Sequence, residues 1–370
     1  MVIALAALAA WVYLFAFHGR FWVSAPQLPP VGPREFPTID VIVPARDEQA
    51  TIGAAIGSLI AQDYRGSFHV TLVDDQSSDG TSEAAARAAG NASRLTVLRG
   101  APKPPGWSGK LWALAQGVAA TRAPILLFTD ADIVHEPEHL AALVARLEQP
   151  RAAMVSEIVH LNCESLAERA LVPAFVYFFQ LLYPFARVND PRSQVAAASG
   201  GTVLVRRDAL AAAGGIDAIR GALIDDVALA HAIKPHGPIY LGHSGLARSI
   251  RPYPGFRDIG RMIARTAFTQ LRGSALWLAA TLAGLGLVWL VPPWAILCGR
   301  GSSFVAGLAA FSLAAISYFP TLQRYGRSPW WVFALPLIAI FYGGATLLSA
   351  VDAWRGKGVR WKARAYTDGR

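Results

Sequence analysis

Acidic residues gather where apolar runs stop. IDVIVPA is followed by Arg46, Asp47 and Glu48, FHVTLV by Asp74 and Asp75, and PILLFT by Asp130, Ala131 and Asp132. A single acidic loop is ordinary, because Asp favours turns and caps. Three acidic ends call for more: crowded carboxylates repel, and their hard oxygen atoms suit Mg²⁺ or Mn²⁺, ions that keep open positions for substrate phosphates. Two readings stand at this point: loops that begin with polar residues, or a divalent cation carrying an anion. The segment lacks the G-x-x-x-x-G-K-[ST] phosphate loop, and no G-x-G-x-x-G follows the first apolar run. Gly109-Lys110 has neither the glycine spacing nor the Ser/Thr of that loop.

The elements that must carry these acids alternate. TIDVIVPA, FHVTLVDD, RLTVLRG and PILLFTDAD have strand character. Between them EQATIGAAIGSLIAQ, SSDGTSEAAARAAG (ending at Gly90) and SGKLWALAQGVAA have helical spacing and capping residues. This period predicts an α/β domain over residues 37–252, with a mostly parallel sheet covered by helices on both faces. Ligands of such sheets collect outside the carboxyl ends of the strands, the rim on which the acids fall.

Composition adds a second environment. The chain of 370 residues is 54% hydrophobic and only 16% charged, well below the roughly 25% of soluble domains. Its net charge of +9 comes mainly from Arg, without the basic–aromatic interleaving of a nucleic-acid groove, so no nucleic-acid partner is expected and the surplus reads as membrane-proximal. Two cysteines make neither a disulfide framework nor a metal knuckle. Residues 1–23 read as an N-terminal membrane anchor whose apolar run, Met1 to Phe17, is followed by His18, Gly19 and Arg20; a signal peptide is the rival, but no basic stretch precedes the run. Residues 273–352 read as transmembrane helices at Ser274–Cys298, Ser303–Phe319 and Trp330–Val351. Between them, 253–272 reads as a basic juxtamembrane helix. If residues 20–272 face the cytoplasm, four full spans put the basic tail 353–370 outside, against the positive-inside rule. Either one apolar segment is re-entrant or the tail is an exception. Residues 166–188, apolar and broken by Pro173 and Pro184, are expected to lie on the bilayer surface, with a core helix as the alternative.

In order, PARDEQATI, LVDDQSSDGT, GKLWALAQG, FTDADI, SGGTVLVRRDAL and IDDVALA resemble the family 2 glycosyltransferases of GT-A fold, over roughly residues 38–235. GWSGKLWALAQG, TDADI and LIDDVALA, with a leading anchor and trailing spans, are most similar to the hopene-associated glycosyltransferases of hopanoid biosynthesis. The resemblance implies a UDP-sugar donor, with Pro44, Ala45, Arg46 and Glu48 lining the nucleotide, Asp75 on the uracil and Asp74 holding the loop. It implies Lys110 near the donor, Asp130 at the ribose or sugar, and Asp132 on Mg²⁺ or Mn²⁺, with Asp130 beside it. Ser199, Gly200, Gly201 and Thr202 match the segment beside the donor sugar on the acceptor side; a tight turn into a strand explains them equally. Asp226 matches the general base. Asp225 stands where many members have Glu, and a helix cap would explain one of the two acids. The Q/R-x-x-R-W motif of polymerising members is absent; Arg261 and Arg265 have the wrong spacing and no Trp, which leaves Arg265 to reach the diphosphate or to bind lipid head groups.

The expected activity is metal-dependent inverting transfer from a UDP-sugar to a lipid, a hopanoid or related polycyclic lipid competing with polyprenyl phosphate, diacylglycerol and ceramide-like acceptors. The expected location is the inner (cytoplasmic) membrane, multi-pass, with the catalytic domain facing the cytoplasm and in association with lipid-synthesis enzymes. A metal-dependent nucleotidyltransferase is the first rival, but PARDEQA lacks its Gly/Arg/Lys-rich signature. A non-catalytic membrane scaffold is the second.

Overall fold

The computed structural model describes residues 1–23, 27–28, 32–91, 93–149, 151–356, 360–361 and 364–365. Two compact units divide the chain: Met1–Ser24 with Cys163–Ala186 and Pro252–Val359, and Ala25–Asn162 with Arg187–Arg251 and Arg360–Arg370.

The first unit is helical. Among the described residues three helices are long and apolar enough to cross a membrane, at Ala275–Cys298, Ser302–Arg324 and Pro329–Trp354. The N-terminal run forms a shorter apolar helix over Val2–Phe17, below that length. Large apolar side chains stay uncovered on the long helices, with Leu297 83% and Leu276 77% exposed, a surface that water does not favour. Residues 166–182 depart from the expected surface-lying segment. They form one helix, Leu166–Leu182, that continues through Pro173 and belongs to this unit. Its Ser165 and Glu168 form a capping box, and Tyr177, fully buried, meets Tyr318 at 5.0 Å and hydrogen-bonds Ser317 at 2.6 Å. Buried residues run round the helix rather than along one stripe, so it is a packed helix. The expected continuous domain 37–252 is therefore interrupted by residues 163–186. Of the basic tail, only two short strands beyond residue 356 fall within the described residues.

The second unit is built on an eight-stranded sheet. Its strands are β1 (Ile39–Ala45), β2 (Phe68–Asp74), β3 (Leu95–Arg99), β4 (Ile125–Thr129), β5 (Ile133–His135), β6 (Met154–His160), β7 (Thr202–Arg206) and β8 (Ile239–Ser249), in the order β3-β2-β1-β4-β7-β6-β8-β5. β1 is buried along its whole length, which explains a sequence apolar without alternation: both faces are covered. It pairs in parallel with β2 on one side and β4 on the other, so the ends of all three strands leave the same edge. β7 runs antiparallel between β4 and β6, and brings the turn before it, Ser199–Gly201, to the end of β4.

The helix Gly109–Ala120 follows β3 and begins with Ser108, whose hydroxyl accepts from the Leu111 amide at 3.2 Å, a common helix start. Gly117 lets it lie close on the sheet: a Cβ there would come within 2.4 Å of Ile42 Cγ2. That approach fixes Lys110, in the first turn, over the acidic edge.

Candidate active site

The residues expected along the nucleotide form one hydrogen-bonded group at the ends of β1 and β2. The Arg46 guanidinium donates to the Asp75 carbonyl and sits 3.6 Å from the Asp75 carboxylate, which is fully buried. Asp74 turns the other way. Its carboxylate accepts from the Ser77 amide at 2.7 Å and from the Ser82 hydroxyl, so it holds the loop after β2. Asp47 adopts a positive φ of 50° and accepts from the Ser78 amide at 2.7 Å, joining the ends of β1 and β2.

At the centre, Lys110 Nζ lies 2.9 Å from both Asp130 and Asp225. Burial alone would depress this ammonium, but the two carboxylate charges override it and hold it firmly protonated. Asp130 is raised by burial, against the pull of Lys110. Asp225 and Asp226 open the helix Asp225–Ile233, where unpaired amides favour negative charge; neither is its N-cap, which is Ile224. Asp226 accepts from the Val227 amide at 2.8 Å and from the Gly200 amide at 2.9 Å. Its pKa is pushed up to about 6, first by burial and then by the charge of Asp225, while Lys110 and the two amides oppose the rise. Lys110, Asp130, Asp225, Asp226, Gly200 and Pro44 line one cavity, closed on the apolar side by Phe128, Ile216 and Leu229. The expected small residues are needed there. A Cβ on Gly200 would reach 3.0 Å from Lys110 Nζ, and one on Gly201 would come within 3.1 Å of both Val159 methyls. Ser199 contributes its backbone, which exchanges hydrogen bonds with the Ser156 hydroxyl.

Asp132 belongs to a third group. Its carboxylate accepts from the Ser249 hydroxyl at 2.8 Å and pairs with Arg251 Nε at 3.2 Å, while Arg251 Nη2 binds Glu48 at 2.7 Å. Glu48, expected along the nucleotide, thus shares a cation with Asp132. Among the described residues no three His, Cys, Asp or Glu side chains group as a complete cation cage. Two carboxylates converging on one positive group nevertheless fit Mg²⁺ or Mn²⁺, which commonly take few protein ligands and fill the rest with water and phosphate oxygens. Sequence reasoning missed Arg251 and Ser249. Arg265, expected to reach the diphosphate or to bind lipid head groups, lies in the first unit as the C-cap of the helix Phe256–Ala264.

A mostly parallel sheet whose acidic edge surrounds a lysine and a buried carboxylate is the arrangement of the GT-A fold. The same fold is found in the mannosyltransferase PcManGT from Pyrobaculum calidifontis, solved in complex with GDP-Man and Mn²⁺, with a TM-score of 0.59 at 21% identity over 96% of this chain and 99% of that one. Residues 40–214 match the family described as Glycosyl transferase family 2. Curated relatives align over part of the chain. The 4,4'-diaponeurosporenoate glycosyltransferase of Staphylococcus haemolyticus is 32% identical over 102 residues, 28% of this chain and 26% of that protein. The beta-monoglucosyldiacylglycerol synthase of Trichormus variabilis is 30% identical over 120 residues, 32% of this chain and 25% of that protein. The chain thus spans about a quarter of the length of these relatives.

Proposed function

We propose that this protein is a membrane-bound, metal-dependent inverting glycosyltransferase that moves a sugar from a UDP-sugar to a hydroxyl of a lipid. The observation that carries the reading is Asp226: a buried carboxylate in a cavity shared with Lys110 and Asp130, with a pKa near 6, suited to a general base near neutral pH. In this reading Arg46 and Asp75 hold the nucleotide base, and Asp130 and Lys110 orient the sugar. Asp226 takes the proton from the acceptor oxygen as that oxygen attacks the anomeric carbon and UDP departs; one displacement inverts the configuration. Asp132 and Glu48 would hold Mg²⁺ or Mn²⁺, which supplies Lewis-acid stabilisation of the leaving diphosphate. The apolar spans and the names of two partial relatives, a 4,4'-diaponeurosporenoate glycosyltransferase and a beta-monoglucosyldiacylglycerol synthase, support a lipid acceptor. A hopanoid is the acceptor to test first, on the motif resemblance given above. The inner membrane, with the catalytic unit facing the cytoplasm, and association with lipid-synthesis enzymes follow from the same reading.

The test is nucleotide release by the detergent-solubilised chain with Mn²⁺ and a panel of UDP-sugars, with GDP-mannose included, with and without hopanoid, polyprenyl phosphate and diacylglycerol. Release that requires one lipid, Asp132 and Asp226 supports the reading and identifies both substrates. Folded wild-type protein that releases no nucleotide with any pair overturns it.

A further inference from the structure

Behind the cavity, four buried side chains form a continuous chain that the transfer chemistry does not use. Glu157 Oε2 lies 2.8 Å from His139 Nε2, His139 Nδ1 lies 2.8 Å from His135 Nδ1, and His135 Nε2 lies 3.0 Å from Thr129 Oγ1. Thr129 Oγ1 in turn lies 2.9 Å from the Gly201 carbonyl. Glu157 is fully buried, His139 and Thr129 are 1% exposed and His135 4%. Proton counting gives this chain a direction. A carbonyl only accepts, so the single hydroxyl hydrogen of Thr129 goes to Gly201, and Thr129 Oγ1 must accept from His135 Nε2. A neutral His135 then has a bare Nδ1, which accepts from His139 Nδ1. His139 is left with a bare Nε2, and Glu157 must supply the hydrogen. The alternative places the same proton on an imidazole and leaves Glu157 ionised. Burial opposes it: both histidines are depressed, His139 to about 3.

We propose that Glu157 is a protonated, neutral carboxyl heading a one-way hydrogen-bond relay through His139, His135 and Thr129 to the Gly201 carbonyl, and that these four are positioning residues for Asp226. The last link is short. The Gly201 carbonyl is also bound by the Thr202 hydroxyl at 2.8 Å, and the neighbouring Gly200 amide donates to Asp226. The relay therefore fixes the turn that aims this amide at the carboxylate, which otherwise faces Asp225 and Lys110. From His139 to the Gly201 carbonyl the direction of the relay is read from geometry, and the place of its proton on Glu157 from the burial of the group; its consequence for Asp226 rests on the proposed glycosyl transfer.

Two measurements separate these. In ¹⁵N-histidine NMR of the full-length solubilised protein, His139 is expected neutral with its hydrogen on Nδ1, and His135 neutral with its hydrogen on Nε2. An infrared band of a protonated carboxyl should vanish in Glu157→Gln. His139 protonated on Nε2, or either ring charged, or no such band, overturns the relay whatever the activity. In the transfer assay Glu157→Gln, whose amide still donates, should keep kcat within about threefold. Thr129→Val should lower kcat about tenfold, the worth of one buried hydrogen bond, with KM for the sugar donor nearly unchanged. Its acid limb should move to higher pH, because Asp226 loses a well-aligned amide; Thr129→Ser should restore both. A Thr129→Val enzyme with an unmoved acid limb overturns the positioning role. Wild-type protein without transfer activity overturns the functional reading and leaves the tautomers to decide the relay.

Discussion

Replacing Asp225 by Asn tests the electrostatics of the cavity most directly. Asp226 is raised to about 6 by burial and by the charge of Asp225, and Lys110 pulls it down. A base must be ionised to act, so the rate of transfer should fall as pH drops through about 6. At pH 5 only about one tenth of Asp226 is ionised, against about nine tenths at pH 7. Asp225→Asn removes the repelling charge and frees Lys110, 2.9 Å from both Asp225 and Asp130, from one of its two partners. Both changes favour the Asp226 carboxylate. A neighbouring charge at this range is worth about one pKa unit in a partly buried site, so the acid limb should move down to about 5. Relative to its own plateau, the variant at pH 5 should then run at about half of maximum, roughly fivefold above the wild-type fraction. The assay is nucleotide release at saturating substrates from pH 4.5 to 8, with circular dichroism to verify folding at the acid end. Asp226→Asn is the control, and should lose about 10²–10⁴ in kcat at every pH. An acid limb that stays in place or rises in Asp225→Asn would refute the assignment of Asp226 as the titrating base.

Two glycine predictions follow from the space around them. Gly200→Ala places a methyl 3.0 Å from Lys110 Nζ and 3.6 Å from Asp226; the expected result is a kcat lowered about tenfold with an unchanged melting temperature, since the lysine end can shift but not while holding its partners. Gly117→Ala pushes against Ile42 at 2.4 Å and should destabilise the second unit by about 1–3 kcal/mol. Gly57→Ala, with nothing within 4 Å, should instead stabilise by about 0.5–1 kcal/mol; thermal denaturation compares the pair.

How much of this was legible depended on whether the signal was local. The strands β1, β2 and β4 announced themselves as apolar runs between helical segments, and parallel pairing then obliged their acidic ends to share an edge. Lys110 was legible for the same reason, standing in the first turn of the helix after β3. Arg251 was not: its partners lie 119 and 203 positions away, and a single arginine after a strand has no pattern. The relay left a fainter trace. Glu157 interrupts the apolar strand MVSEIVH, and a carboxylate that a strand must bury needs a partner; nothing in the sequence said that the partner was His139. The helix Leu166–Leu182 was read as surface-lying with a core helix as the alternative, because apolar spacing alone cannot separate a helix lying on a bilayer from one packed within a helical unit. Its assignment to the helical unit is a property of the tertiary fold.

Asp130 and Asp132 stand two residues apart, yet they serve different cations, Lys110 and Arg251. This division has a consequence for ligand binding. Around the cavity and its edge stand five carboxylates (Glu48, Asp130, Asp132, Asp225 and Asp226) and two cations, Lys110 and Arg251. With Asp226 ionised at neutral pH the group is about three charges negative, an unwelcoming place for a diphosphate on its own. Arg251 offsets part of that charge only while it remains between Asp132 and Glu48, the same oxygens proposed to hold the metal. The guanidinium and the ion therefore compete. Arg251→Gln should bind Mn²⁺ in the absence of nucleotide about tenfold more tightly than wild type, as read by the free-ion electron paramagnetic resonance signal, and Asp132→Ala should bind it more weakly than either. In wild type, UDP should bind at least tenfold more tightly with Mn²⁺ than with EDTA, and Mn²⁺ correspondingly more tightly with UDP, since coupling between two ligands is reciprocal. Equal UDP affinity with and without the metal would mean that Arg251 alone serves the diphosphate, and that Asp132 is its anchor rather than a metal ligand.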